Sequence, residues 1–227
     1  MIEYRTRTWI SHTNKFIWQR VGKCASCSIK EHLDNHTPDF VPTTKKDNEH
    51  FLSYYKFMFV RNPYERLVSA YRNKLEYKKP NPKNPYTGGK GFKQWLEEGI
   101  SFETFIKRIT ENEEMLVLNS HWRPYWKYME TFDSTLDFIG KVENFQEDFT
   151  TICNKIGIPS KNFPHKNISL KKKGAWEKWK KHPTKFSGGS IVKEYHYSQY
   201  YTDELRNLVT QAYARDLKDF NYSYQEK

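Results

Sequence analysis

The stretch YYKFMFVRNPYERLVSAYRNKLE, residues Tyr54–Glu76, decides the fold class of this 227-residue chain. Its first part, Tyr54–Val60, is short, aromatic and β-branched, which predicts a buried strand. A helix is predicted directly after it, because Asn62 can cap and Pro63 suits the first helical position. Three polar side chains surround this helix start: Arg61, Arg66 and Ser69. Since helix N-termini at the carboxyl ends of strands favour phosphate, the stretch predicts an anion site.

A second unit of the same kind precedes it. Lys15–Val21 is predicted as a strand, Gly22–Ser28 as a loop of small residues, and Ile29–Leu33 as helical. Small side chains let backbone N–H groups close around an oxyanion, and a lysine at the loop's start adds a point charge. Two strand-loop-helix units predict an α/β fold and a ligand with two separate phosphate-type groups.

These two segments resemble the cofactor motifs of sulfotransferases that use 3′-phosphoadenosine 5′-phosphosulfate (PAPS), most closely the Golgi carbohydrate sulfotransferases that modify chondroitin and dermatan. In that family a lysine followed by small and hydroxyl residues holds the 5′-phosphosulfate, and Lys23, Ser26, Cys27 and Ser28 match this loop. The family's second motif, Arg-x-Pro-x-x-Arg-x-x-Ser-Ala, holds the 3′-phosphate; Arg61, Pro63, Arg66, Ser69 and Ala70 match it. Further similar segments are 119–124, 137–144 and 213–217.

The resemblance implies a single sulfotransferase domain over residues 1–227, with a P-loop-like three-layer α/β fold whose central parallel sheet is flanked by helices. One domain also suits the length. The implied cofactor-binding residues are Gly22, Lys23, Cys24, Ala25, Ser26, Cys27, Ser28, Arg61, Arg66, Ser69 and, in the basic irregular segment 159–189, Lys173. Two positions depart from the family pattern, since Gly22 replaces a proline and Cys27 a threonine.

The chemistry implied is in-line displacement at sulfur, in which a carbohydrate hydroxyl replaces 3′-phosphoadenosine 5′-phosphate. Lys23 is expected to neutralise the leaving phosphate oxygen. His121 is the predicted general base because imidazole titrates near neutral pH and because it recurs in the resemblance. His50, ahead of the second strand, and Glu76 are the alternatives. No metal is expected, since no cluster of carboxylates or His and Cys residues stands out.

The composition predicts an acidic partner. The formal net charge is +11 and the isoelectric point is about 9.3, which suits a nucleotide, an acidic glycan or a nucleic acid. A carbohydrate acceptor, as polysaccharide, glycan or glycolipid, is expected, with no nucleic-acid partner. A nucleic-acid-binding protein stays open as an alternative for the Lys/Trp-rich segment, although it would not explain Lys23 and Arg61–Ser69.

Two other functional classes fit the loop less well. A P-loop kinase needs G-x-x-x-x-G-K-[ST], whereas GKCASCS (residues 22–28) lacks the leading glycine and has Cys24 in place of the magnesium-binding hydroxyl. A zinc or redox site on Cys24-x-x-Cys27 lacks a second pair, because Cys153 is the only other cysteine.

Elsewhere the sequence predicts a surface loop over 78–91, helices over 101–109 and 144–156 with Gly157 at the end of the latter, a strand over 136–142 and one final helix from Thr202 through Leu217. No stretch is long and apolar enough for a membrane span. We therefore expect the cytoplasm if the protein is microbial or viral, and the Golgi lumen if the chain is an excised catalytic part.

Overall fold

The structure, a computed structural model, describes residues 7–43, 53–75, 100–111, 113–130, 136–161, 163 and 196–226. In chain order the elements are β1 (Arg7–Ser11), β2 (Phe16–Arg20), α1 (Ser26–His36), β3 (Val41–Thr43), β4 (Tyr55–Val60), α2 (Pro63–Lys74), α3 (Phe102–Thr110), α4 (Glu113–Leu118), α5 (Tyr125–Met129), β5 (Phe138–Lys141), α6 (Phe145–Ile156), α7 (Asp203–Ala212) and α8 (Ala214–Asp219). The chain divides into two compact units, residues 1–62 with 120–164 and residues 63–119 with 165–227.

The first unit contains a five-stranded mixed sheet of order β3-β1-β2-β4-β5. Strands β2, β4 and β5 run parallel, with Gln19 opposite Met58 and Val60 opposite Lys141. Strand β1 pairs antiparallel with both β2 and β3. The predicted parallel sheet is thus confirmed for the strands that carry the two motifs. The N-terminal part of the chain extends it with antiparallel strands that the sequence patterns did not indicate.

Strand β4 is buried along almost its whole length, as its apolar run predicts. Its Phe59 packs against Phe149 of α6, with ring centroids 6.0 Å apart. Gly140 on the neighbouring β5 makes room for this ring, because a Cβ atom there would lie 2.5 Å from it. The central strands are therefore covered by helix α6, which ends at Gly157 in a left-handed conformation.

The described residues of the second unit form helices and short turns. Helix α2 begins at Pro63, directly after the turn that follows β4, and its Tyr64 lies 5.5 Å from Tyr201 and 5.0 Å from Tyr224 between ring centroids. The Tyr201 hydroxyl donates to Tyr64 O at 3.0 Å, and burial raises the pKa of Tyr201 well above the usual value. Side chains of Ser101 and Thr202 cap α3 and α7. A tyrosine-rich core therefore fixes α2, which carries part of the second motif.

Most predicted elements are confirmed within one or two residues, but α1 runs from Ser26 to His36. It therefore begins inside the predicted loop Gly22–Ser28 and extends three residues beyond each end of the predicted helix Ile29–Leu33. The single helix predicted from Thr202 through Leu217 is wrong, because Tyr213 leaves helical geometry (φ −111°, ψ 18°) and separates α7 from α8 while its ring stays buried. The single-domain prediction and the three-layer arrangement stay predictions. Within the described ranges, no helix has the length and apolar character needed to cross a bilayer.

Candidate active site

The carboxyl ends of β2, β4 and β5 lie at one edge of the sheet, because these three strands are parallel neighbours. The segment after β2, Gly22–Ser28, consists of a loop up to Ala25 and the first three residues of α1, and it is called the Gly22–Ser28 loop below. The turn after β4 is Arg61–Asn62, and a 3₁₀ turn, Val142–Asn144, follows β5. In open α/β sheets ligands bind at this edge. Gly22 and Arg61 therefore follow neighbouring parallel strands at the same edge of the sheet.

The Gly22–Ser28 loop has an uncommon backbone. Lys23 and Ala25 both have positive φ, 69° and 53°, which non-glycine residues rarely adopt. Each such residue costs about 1–2 kcal/mol relative to ordinary geometry. Turns that mix right-handed and left-handed residues direct successive N–H groups into a concave anion-binding surface. The strained loop thus suits an anion, and the strain falls on the predicted catalytic lysine.

Helix α1 starts at Ser26, at the end of this loop. No side chain caps it, and its first turn contains no acidic residue. Ser26 and Ser28 are buried, Cys27 is exposed, and the first helical hydrogen bond runs from Ile29 N to Ala25 O at 3.1 Å. The positive end of the helix dipole is therefore not compensated by any of its own acidic side chains. This helix start therefore suits a negatively charged group.

The turn at Arg61–Asn62 is held by side chains from elsewhere in the first unit. The Tyr125 hydroxyl accepts from Arg61 N at 3.0 Å and donates to Arg61 O at 2.7 Å. Glu143 Oε1 accepts from Asn62 N at 2.8 Å. Both backbone N–H groups of the turn are thus bonded to protein side chains. An anion bound here would be held through side chains rather than through these amides.

The same hydroxyl reaches the first loop. Cys24 Sγ lies 3.5 Å from Tyr125 Oη, and both residues are almost fully buried, at 1% and 0% exposure. Because the tyrosine proton is already donated to Arg61 O, the thiol is the donor in this contact. Cys24 therefore packs inward, so its side chain cannot take the place of the magnesium-binding hydroxyl of a P-loop.

His121 lies beside the first loop. A Cβ atom on Gly22 would stand 2.6 Å from Ser120 O and 3.1 Å from His121 Cα. The Tyr128 hydroxyl donates to the same Ser120 O at 2.8 Å. The glycine that replaces the family's proline is thus the residue that lets the His121 turn approach the loop. Lys23, Arg61 and His121 all belong to the first unit.

Arg66 and Ser69 lie on α2, in the second unit. Arg66 is 1% exposed, and Ser69 is half-buried. Unlike α1, helix α2 has an acidic residue, Glu65, in its first turn. Its dipole is partly compensated by that carboxylate, so the cationic and hydroxyl side chains of the motif are the groups suited to an anion.

Some predicted residues lie outside the described residues, namely His50, Glu76, Lys173, the loop 78–91 and nearly all of the segment 159–189. None of the three cysteines forms a disulfide; Cys24 and Cys153 are buried and Cys27 is exposed. Burial raises the pKa of Cys153 to about 12, so its thiol is unreactive. Among the described residues, no group of three or more His, Cys, Asp and Glu side chains is placed to hold a metal ion.

Sequence reasoning assigned no role to Tyr125 or Glu143. Sequence features mark both positions, because Tyr125 directly follows Pro124 and Glu143 lies just after the end of β5, the third parallel strand. These features do not indicate which residues Tyr125 and Glu143 contact. Their partners are 64 and 81 residues away in the chain. No local pattern reports contacts at such separations.

Comparison with known proteins identifies the family of this chain. A profile described as "Sulfotransferase family" matches residues 6–223. The chain belongs to the sulfotransferase family. Carbohydrate sulfotransferase 14 of Danio rerio is 29% identical over 180 residues, which cover 68% of this chain and 46% of that protein. Carbohydrate sulfotransferase 9 of Homo sapiens is 28% identical over 186 residues, covering 75% and 38%.

A shorter match, to carbohydrate sulfotransferase 11 of Rattus norvegicus, is 32% identical over 125 residues, or 49% of this chain and 35% of that protein. The sulfotransferase-family chain thus spans less than half the length of these curated relatives. No solved structure matches it at a comparable level of significance.

Proposed function

We propose that this protein transfers the sulfuryl group from PAPS to a hydroxyl of a carbohydrate acceptor. The observation that carries the proposal is the Gly22–Ser28 loop, which joins a strained Lys23 to an uncapped helix start at the same sheet edge as Arg61, in a chain of the sulfotransferase family. The relatives' names support a carbohydrate as the acceptor class.

Each part of the loop has a task in this reaction. PAPS, when bound, supplies the sulfuryl group and departs as 3′-phosphoadenosine 5′-phosphate. The loop backbone from Gly22 to Ser28 would hold the 5′ end, and the Lys23 ammonium would neutralise negative charge as it grows on the leaving oxygen. Preorganised donors of this type lower a barrier by about 3 kcal/mol each. Cys27 has no hydroxyl group, so the family's threonine donor has no equivalent here, and the loop backbone with Ser28 would take its part.

The 3′-phosphate would be bound by Arg61, Arg66 and Ser69, and Lys173 would add a cation. The Arg61 side chain is suited to this because its backbone is already fixed by Tyr125. Arginine presents a planar fork of donors that matches phosphate geometry. Tight binding of the 3′-phosphate would select this donor over ATP and ADP.

The acceptor hydroxyl needs a base, and His121 is proposed for that role. Its support is position, because the His121 backbone packs against Gly22 at the start of the lysine loop. A neutral imidazole at this place can accept the hydroxyl proton as sulfur is attacked. His50 is the alternative base. No metal takes part in this proposal.

The proposal is tested first by ligand-induced thermal stabilisation. A ligand at 100 times its Kd adds about 2.7 kcal/mol to stability. We expect stabilisation by 3′-phosphoadenosine 5′-phosphate well above that by ADP, AMP or ATP with magnesium. Radiolabelled sulfate transfer from PAPS to desulfated glycosaminoglycans and neutral polysaccharides then identifies the acceptor. Stabilisation by ATP with magnesium alone, or by oligonucleotides alone, would overturn the proposal in favour of a kinase or a nucleic-acid-binding protein.

A further inference from the structure

We infer that Tyr125 is a positioning residue that couples the two cofactor motifs, so that the Gly22–Ser28 loop and the Arg61–Asn62 turn are held in one geometry. The inference rests on the proposed function for the identity of the nucleotide. It names a residue to which neither the motifs nor the family match assigns a role.

The coupling is carried by one oxygen atom. Tyr125 Oη accepts from Arg61 N at 3.0 Å, donates to Arg61 O at 2.7 Å and receives the Cys24 thiol at 3.5 Å. A phenol has one proton to donate and two lone pairs to accept with, so these three contacts use its full capacity. The hydroxyl therefore bonds to both motifs without leaving any of its own groups unsatisfied.

Burial strengthens the two hydrogen bonds between Tyr125 and Arg61, and the Cys24 thiol adds a weaker one. Tyr125 is 0% exposed and Cys24 is 1% exposed. Inside a protein a hydrogen bond is electrostatically stronger than in water, and a buried polar group that loses its partner is costly. Loss of the oxygen would leave both the N–H and the C=O of Arg61 without this bond. The Arg61 backbone would then be free to shift relative to Cys24.

The two ends of the nucleotide are separated by a fixed distance, so the two motifs must be held at a matching distance. If the motifs are rigidly coupled, binding one end aligns the other, and adding the 3′-phosphate gives its full gain in affinity. If the two motifs move independently, part of the gain in affinity from the 3′-phosphate is offset by the free energy needed to order them. We therefore expect loss of the coupling to reduce the gain in affinity from the 3′-phosphate, and not to weaken the binding of all nucleotides equally.

The variant that isolates the oxygen is Tyr125→Phe, since the ring and its packing remain. The matched control is Tyr128→Phe on the same helix, which is also buried and whose hydroxyl donates to Ser120 O. Dissociation constants for 5′-AMP and 3′-phosphoadenosine 5′-phosphate are measured by calorimetry for each protein. Their ratio is the gain from the 3′-phosphate.

We expect Tyr125→Phe to reduce this gain about tenfold, equivalent to roughly 1.4 kcal/mol, with 5′-AMP affinity changed less than threefold. Tyr128→Phe should retain the wild-type gain even if its melting temperature falls as much. An unchanged gain in Tyr125→Phe, or an equal fall in both variants, would overturn the inference.

Hydrogen exchange tests the coupling without any nucleotide. In Tyr125→Phe, amide exchange in peptides covering residues 22–28 and 61–62 should accelerate together, and in Tyr128→Phe it should not. Acceleration confined to 61–62 would show that Tyr125 fixes one turn only, and would refute the coupling. If the wild-type protein binds none of the adenine nucleotides, the proposed function fails, while the exchange result still decides whether Tyr125 couples the motifs.

Discussion

The backbone of His121 packs so closely against Gly22 that a Cβ atom on the glycine would lie 3.1 Å from His121 Cα. The predicted general base and the start of the lysine loop are therefore neighbours because position 22 has no side chain. A proline ring would occupy the space that the His121 turn fills.

Gly22→Ala should destabilise the protein and weaken nucleotide binding. The added methyl would meet backbone, Ser120 O at 2.6 Å, and backbone yields only by moving the turn. Overpacking of this kind costs about 1–3 kcal/mol. Gly157→Ala is the control, since it also introduces strain, at φ 72°, but meets nothing within 4 Å. Thermal melts with and without 3′-phosphoadenosine 5′-phosphate should show both proteins destabilised and only Gly22→Ala deficient in ligand response. A normal ligand response in Gly22→Ala would contradict the prediction.

Lys23→Gly should lower the turnover of sulfuryl transfer at least 100-fold while leaving the fold intact. The substitution removes the ammonium group, a loss of about 3 kcal/mol in barrier stabilisation. It also relieves the left-handed backbone at φ 69°, which glycine adopts without strain. Lys30→Ala is the comparison, because Lys30 lies on α1 and pairs with Asp34 at 2.6 Å. Single-turnover rates at saturating PAPS measure the effect. Near-wild-type turnover in Lys23→Gly would remove this lysine from the mechanism.

Ser69→Ala should weaken binding of 3′-phosphoadenosine 5′-phosphate about 10- to 100-fold, as expected for loss of one hydrogen bond to a charged group. Affinity for 5′-AMP should not change, because that nucleotide lacks the 3′-phosphate. Asn73→Ala, one turn further along α2 and also half-buried, serves as the matched variant. Calorimetric titration with both nucleotides separates the cases. Equal losses for the two nucleotides would count against a 3′-phosphate site at this serine.

His121→Asn should lower sulfuryl transfer by 100-fold or more with nucleotide affinity retained, since general base catalysis contributes about 10²- to 10⁴-fold. His196→Asn is the control, because His196 is also partly exposed but caps a 3₁₀ turn in the second unit through Ser198. Rates and nucleotide affinities are measured together. If affinity and melting temperature both collapse in His121→Asn, the histidine supports the Gly22 contact and is not the base.

Stability should fall as the pH drops below about 6.5, the ordinary pKa of histidine. Burial lowers the pKa of His32, although its hydrogen bond to Pro159 O at 2.7 Å acts in the opposite direction and His36 adds to the lowering. The unfolded chain therefore binds a proton more readily than the folded one in this range, so acid favours unfolding. Urea unfolding at pH 7.5 and 5.5 should show a smaller difference for His32→Gln than for the wild type. A pH dependence in His32→Gln as large as that of the wild type would refute the assignment.

The sequence by itself determined the elements whose signals are local. The apolar run before Arg61 predicts β4, Pro63 predicts the start of α2, Thr202 predicts the start of α7, and Gly157 predicts the end of α6, all of which the structure confirms. Periodicity, capping residues and helix-ending glycines act over a few residues, so they can be read in order along the chain. The positions of the two motifs after their strands can be read in the same way, whereas the roles of their residues come from the resemblance to sulfotransferases.

Only the tertiary structure decided how the first loop, the Arg61 turn and the His121 turn are held. The Tyr125 hydroxyl reaches Arg61 and Cys24 across 64 and 101 residues, and Glu143 reaches Asn62 across 81. The bend at Tyr213 likewise interrupts an amphipathic repeat that continues unbroken in the sequence. Such contacts depend on which strands become neighbours in the sheet and on which side chains are buried together. No local pattern encodes them, because the same short sequence pairs with different partners in different folds.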